Sequence, residues 1–122
     1  RSNVTGLLKR FPRLVVILAH GGIPHFGFYW PLIKKYDTLY TDLSGDYVSR
    51  TLAKKIIRKV GPRKVIWGTD GPYGLRNRDP ESAYHHTFRH EMAKVDGLGL
   101  KDDQLRLVFS ENLLRILRLN DG

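Results

Sequence analysis

The uninterrupted apolar run Leu14-Val15-Val16-Ile17-Leu18-Ala19 leads straight into His20-Gly21-Gly22, and this junction constrains the fold more than any other part of the chain. A strand with one wet face alternates apolar and polar residues, so a continuous run predicts a strand covered on both faces. Two further segments are β-prone. One is Thr38 to Leu43, and the other is Lys64 to Thr69, introduced by the turn Gly61-Pro62-Arg63. Helical patterns lie between them, over Val4 to Arg10, Phe28 to Lys35, Asp46 to Val60 and Glu81 to Val95. A closing pair is expected, Asp102 capping Asp103 to Phe109 and Ser110 capping Glu111 to Leu119. The Asp46 to Val60 helix has the clearest stripe, with Leu52, Ile56, Ile57 and Val60 on one side and Arg50, Lys54, Lys55, Arg58 and Lys59 on the other. Pro31 is read as tolerable near the first turn of its helix.

Strands alternating with helices predict an α/β fold of three parallel strands (about 14–19, 38–43 and 64–69) joined by right-handed crossovers. No internal boundary is visible, so residues 1–122 read as one unit. Three strands leave two unpaired edges, and such edges invite pairing with a further barrel segment or a second copy. The chain begins at Arg1 and its only methionine is Met92, which also leads us to expect a piece of a longer protein.

Composition narrows the function classes. No apolar run approaches the roughly 20 residues of a membrane span, and no leader pattern opens the chain. Zero cysteines exclude disulfides and thiolate metal sites and agree with a cytoplasmic location. The 21 Lys and Arg against 12 Asp and Glu give a net charge of +9, which favours acidic partners. A basic, non-catalytic module that binds nucleic acid is therefore the alternative reading. It is disfavoured because the tryptophans and tyrosines do not interleave with a basic stripe. Phosphate-loop and Gly-x-Ser-x-Gly patterns are absent.

Two side chains stand where parallel strands end, the face on which such folds place their chemistry. His20 closes the first strand, and Asp70 closes the third in Gly68-Thr69-Asp70-Gly71-Pro72-Tyr73. A carboxylate and an imidazole at equivalent depth can bind a divalent cation or move protons. Each alone can equally support a turn. Asp42, beside Ser44-Gly45, is a weaker candidate whose turn-supporting role is the better reading. His25 follows His20 closely enough to line the same mouth. His86 and His90 share a helical face, but Thr87 stands where the zincin pattern requires Glu, so they are read as surface residues.

Four segments, in order, resemble the amidohydrolase-related family of metal-dependent TIM-barrel enzymes. Phe11-Pro12-Arg13 with Ala19-His20-Gly21-Gly22 resembles its sixth strand, and Tyr40-Thr41-Asp42-Leu43-Ser44 its seventh. Val65-Ile66-Trp67-Gly68-Thr69-Asp70-Gly71-Pro72-Tyr73 is similar to its eighth, and Ser110 to Leu117 to its closing helix. The resemblance implies a partial (β/α)8 barrel and a hydrolase or decarboxylase acting on a carbonyl- or carboxylate-bearing small molecule. It implies Asp70 as ligand to a divalent metal, zinc first, and as a partner in activating its water. His20 would contact metal or substrate, and His25 and Tyr73 would shape the substrate pocket. The family's first-strand His-x-His pair and strand-five histidine have no counterpart here. Two ligands fall short of the three protein ligands of a catalytic zinc, so this chain alone is expected to be inactive.

Overall fold

The computed structural model describes residues 2–71 and 79–119. Helix α1 (Ser2–Arg10) precedes strand β1 (Val16–Leu18), and α2 (Phe26–Lys35) carries the chain to β2 (Leu39–Asp42). Helix α3 (Arg50–Val60) crosses to β3 (Val65–Ile66), and α4 (Pro80–Asp96), α5 (Asp102–Arg106) and α6 (Asn112–Leu119) follow. The three strands form one parallel sheet in the order β1-β2-β3. Val16 pairs with Leu39 and Leu18 with Thr41, while Thr41 and Asp42 pair with Val65 and Ile66.

The strand covered on both faces is β2 and not β1: the apolar run predicts cover for β1, but as an edge strand it leaves Leu14 and Ile17 exposed. Leu39 and Val65 join Ile33, Leu43, Ile56, Ile57, Val60 and Val95 in the main core. Tyr40 and Ile66 join Ile116 in a second, smaller cluster. Complete burial of a side chain such as Ile56 contributes about 2 kcal/mol of hydrophobic free energy. On α3, Arg50, Lys54, Lys55, Arg58 and Lys59 all face solvent.

The strands are shorter than their apolar runs. β1 and β3 are edges, so ladder bonds form on one side only. Beyond Ile66 the Trp67 N–H donates to the Val108 carbonyl (2.9 Å) instead of to a strand. Other boundaries also shift. α3 starts at Arg50, not Asp46, because Ser49 is its N-cap, accepting from the Leu52 N–H (3.1 Å), and residues 43–48 form a loop. α2 starts at Phe26, which puts Pro31 in its interior and leaves the Gly27 carbonyl without its helical donor.

The closing helices are not two separately capped pieces. Lys101, not Asp102, is the N-cap of α5, its N–H donating to Gln104 Oε1 (3.1 Å). A π-helical stretch, Leu107–Glu111, joins α5 to α6. Ser110 lies inside it and its hydroxyl reaches back to the Arg106 carbonyl (3.4 Å), so it caps nothing. The buried Asn112 amide donates to the carbonyls of Pro62 (2.6 Å) and Val65 (2.7 Å), tying α6 to the entry of β3. At the start of α4 the Ser82 N–H and hydroxyl bond the Asp79 carboxylate (3.0 and 2.9 Å), and the N–H bond leads in holding its pKa below the ordinary 3.8. Among the described residues no helix is long and apolar enough to cross a membrane.

Candidate functional site

Parallel strands all deliver their C-terminal ends to one rim, and there the structure brings His20 and Asp70 together. His20 Nε2 lies 3.7 Å from Asp70 Oδ2. Both residues turn off their strands in the left-handed region, with φ of 56° at His20 and 52° at Asp70. That conformation is costly for most side chains and occurs preferentially at functional corners.

The His20 corner is held from three directions. Its N–H donates to Asp42 Oδ1 (3.0 Å), which also accepts from the Ser44 N–H (3.0 Å) and the Ser44 hydroxyl (2.7 Å). Its ring Nδ1 lies 2.6 Å from the Ser44 carbonyl oxygen. A carbonyl only accepts, so this contact keeps a proton on Nδ1 and, in the neutral ring, presents the Nε2 lone pair to the rim. Tyr47 covers the ring at 5.3 Å between centroids while its own side chain stays exposed. Asp42 thus acts as the loop support that the sequence favoured, and it positions the histidine through the backbone.

Gly45 is wedged against both site residues. A Cβ there would stand 3.0 Å from Asp70 Oδ2 and 3.2 Å from His20 Cε1, and its φ of 88° is itself a glycine conformation. Behind it, Glu91 and Lys94 of α4 form a buried ion pair (2.6 Å). Glu91 Oε1 accepts from the Gly45 N–H (3.0 Å), and Lys94 Nζ donates to the carbonyls of Leu43, Gly45 and Val48. The sequence reading passed over both residues. The available signal was their place on the helix face that also carries Ala83, Thr87 and Val95.

The other candidates lie elsewhere. His25 sits at the N-cap of α2, exposed, its ring 6.4 Å from that of Tyr29. Tyr73 lies outside the described residues. His86 and His90 stack on the outer face of α4 (6.1 Å between rings), where His90 Nε2 comes within 3.8 Å of Asp46.

The donor set fits a divalent metal in part. Nitrogen and oxygen ligands of one tetrahedral zinc stand about 3.4 Å apart, close to the observed 3.7 Å between Nε2 and Oδ2. Among the described residues no group of three or more such side chains that could hold a metal ion occurs, so the His20–Asp70 pair does not by itself complete such a centre.

Parallel strands linked by outer helices, with His20 and Asp70 beyond the strand ends, define a segment of an α/β fold. Residues 2–119 match the model of the Amidohydrolase family, and the chain belongs to that family. The 5-carboxyvanillate decarboxylase LigW of Sphingomonas paucimobilis is similar in structure, with a TM-score of 0.63, 23% identity, and coverage of 93% of this chain and 36% of that one. The apo IDCase of Metarhizium anisopliae gives a TM-score of 0.67 at 21% identity, covering 94% of this chain and 36% of that one. A 2,6-dihydroxybenzoate decarboxylase from Rhizobium gives 0.64 at 17% identity, covering 96% and 38%. The comparison with curated proteins returns no match. The fold is thus a partial TIM barrel, and the chain spans about a third of the length of these structures (36–38%).

Proposed function

We propose that the full-length protein is a metal-dependent enzyme that releases CO2 from an aromatic carboxylate, with His20 and Asp70 in its active site. The observation that carries this reading is the His20 lock: Nδ1 is committed to the Ser44 carbonyl and Nε2 faces the Asp70 carboxylate. The choice of CO2 release over hydrolysis rests on the similar structures named as decarboxylases of 5-carboxyvanillate and 2,6-dihydroxybenzoate.

Asp70 would hold the metal through its carboxylate, with His20 as the neighbouring ligand or substrate contact. Zinc is the metal proposed, on the strength of a nitrogen and an oxygen donor. When bound, such an ion supplies a Lewis acid for a carboxylate or carbonyl oxygen. With Nδ1 held by Ser44, Nε2 either ligates the metal or, as a substrate contact, takes up a proton to give the imidazolium and then delivers it, and it cannot do both at once. In CO2 release the ring carbon bearing the carboxylate gains a proton, its bond to the carboxylate carbon breaks, and that electron pair returns to the ring. The half-buried Nε2 is placed to deliver that proton at the rim. His25 and Tyr73 belong, in this reading, to the walls of the substrate mouth.

Two outer edges need covering for the site to close. Leu14 and Ile17 are exposed beside β1, and Leu114 and Leu117 are exposed on α6. Further barrel strands, or a second copy, would pair there. A cytoplasmic location accords with the cysteine-free composition.

The test is CO2 release by the full-length protein from a panel of hydroxybenzoates, run beside ester and amide analogues. Asp70→Asn is expected to lower turnover by about 100-fold or more, and chelation should do the same. Unchanged turnover in Asp70→Asn would remove the assignment. Hydrolysis of the analogues without CO2 release would replace the lyase with a hydrolase.

A further inference from the structure

We infer that the buried Glu91–Lys94 pair of α4 is a positioning element for His20, setting which ring nitrogen carries the proton. This deepens the proposed function, since it concerns the same site.

A buried ion pair is poor evidence of stabilisation, because desolvating two charges offsets most of their attraction. This pair is 1% and 5% exposed, so its retention calls for another account, and its hydrogen bonds supply one. Lys94 Nζ reaches the carbonyls of Leu43 (2.8 Å), Gly45 (3.0 Å) and Val48 (2.8 Å) as well as Glu91 Oε2 (2.6 Å). The three ammonium protons match the three carbonyls, and Glu91 Oε2 meets the ammonium as an ion pair. Glu91 Oε1 takes the Gly45 N–H (3.0 Å).

The pattern matters because of what lies between these anchors. The carbonyls on either side of Ser44, those of Leu43 and Gly45, turn toward Lys94. The Ser44 carbonyl meets His20 Nδ1 at 2.6 Å instead. The Ser44 N–H is meanwhile fixed on Asp42 (3.0 Å). With its neighbours pinned, the Ser44 peptide cannot flip without breaking hydrogen bonds in a buried region, where an unmade bond is costly. The Gly45 peptide is the plate between the two sites, with the ion pair behind it and His20 and Asp70 in front. Any group that holds Gly45 and its flanking carbonyls thereby holds the acceptor that selects the Nδ1–H tautomer.

The test is histidine-selective ¹⁵N NMR of the full-length protein at alkaline pH, where imidazole is neutral. Wild type should show His20 as the Nδ1–H tautomer. The double variant Glu91→Leu with Lys94→Met removes both charges at similar volume, and circular dichroism will report whether it folds. In that folded variant the His20 signals should move toward the Nε2–H form, and kcat should fall about 10-fold or more with KM within about 2-fold. A folded double variant with unchanged His20 signals would overturn the inference. If the double variant does not fold, Lys94→Met decides, because it releases the carbonyls of Leu43, Gly45 and Val48 at similar volume. A partial tautomer shift supports positioning, and unshifted signals overturn it. The NMR result stands without turnover, so failure of the proposed activity and failure of this inference are distinguishable.

Discussion

At the end of β1, the His20 N–H, Nδ1 and ring face are each engaged, by Asp42, Ser44 and Tyr47 in turn. At the end of β3, Asp70 has the same left-handed backbone, yet among the described residues its carboxylate meets only the 3.7 Å contact with His20. Their exposure differs to match, 21% for the histidine side chain and 46% for the aspartate. The difference teaches how the site is divided. This chain sets the orientation and tautomer of the histidine by itself. It supplies the aspartate as an open donor whose remaining partners are a metal ion and groups from other strands, in the proposed reading.

Substitutions that break the held corner should cost most. Gly45→Ala combines a disfavoured φ with a Cβ pressed on Asp70 and His20, and should destabilise the protein by about 3 kcal/mol in urea unfolding. Asp42→Ala leaves the His20 N–H, the Ser44 N–H and the Ser44 hydroxyl without their acceptor, for an expected loss of about 2 kcal/mol. Amide exchange at His20 and Ser44 should rise with it, and exchange equal to wild type would show that another group holds the corner. At the open corner, Asp70→Asn should move stability by no more than about 0.5 kcal/mol, since asparagine tolerates the same backbone and few contacts are lost. A large loss there would erase the contrast between the two corners.

The three parallel strands and the placing of His20 and Asp70 beyond strand ends were legible because both depend on local patterns. Apolar runs mark buried strands, and the residue after a strand lies at the rim whatever else the chain does. The start of α3 was not legible in the same way. Asp46 continues the helical pattern, but Gly45 must meet Glu91 and the Val48 carbonyl must meet Lys94, partners some 46 residues away in sequence. Ser110 shows the same limit. It resembles a helix cap in isolation, yet Asn112 is pinned to Pro62 and Val65 and the helical run passes through it. Glu91 and Lys94 were missed because charged helix residues usually face water. Only the bare loop peptides opposite them give those charges a reason to be buried.

The left-handed corner at His20 also limits how this position can vary. Most side chains would be strained at a φ of 56°, and β-branched ones most of all. Glycine, asparagine and aspartate are the residues that keep such a corner at little cost. A relative that had lost its chemistry at this rim could therefore keep the shape of the turn with one of those three. Glycine, asparagine or aspartate at this position, in place of histidine, would mark a barrel that is folded but retired from proton transfer.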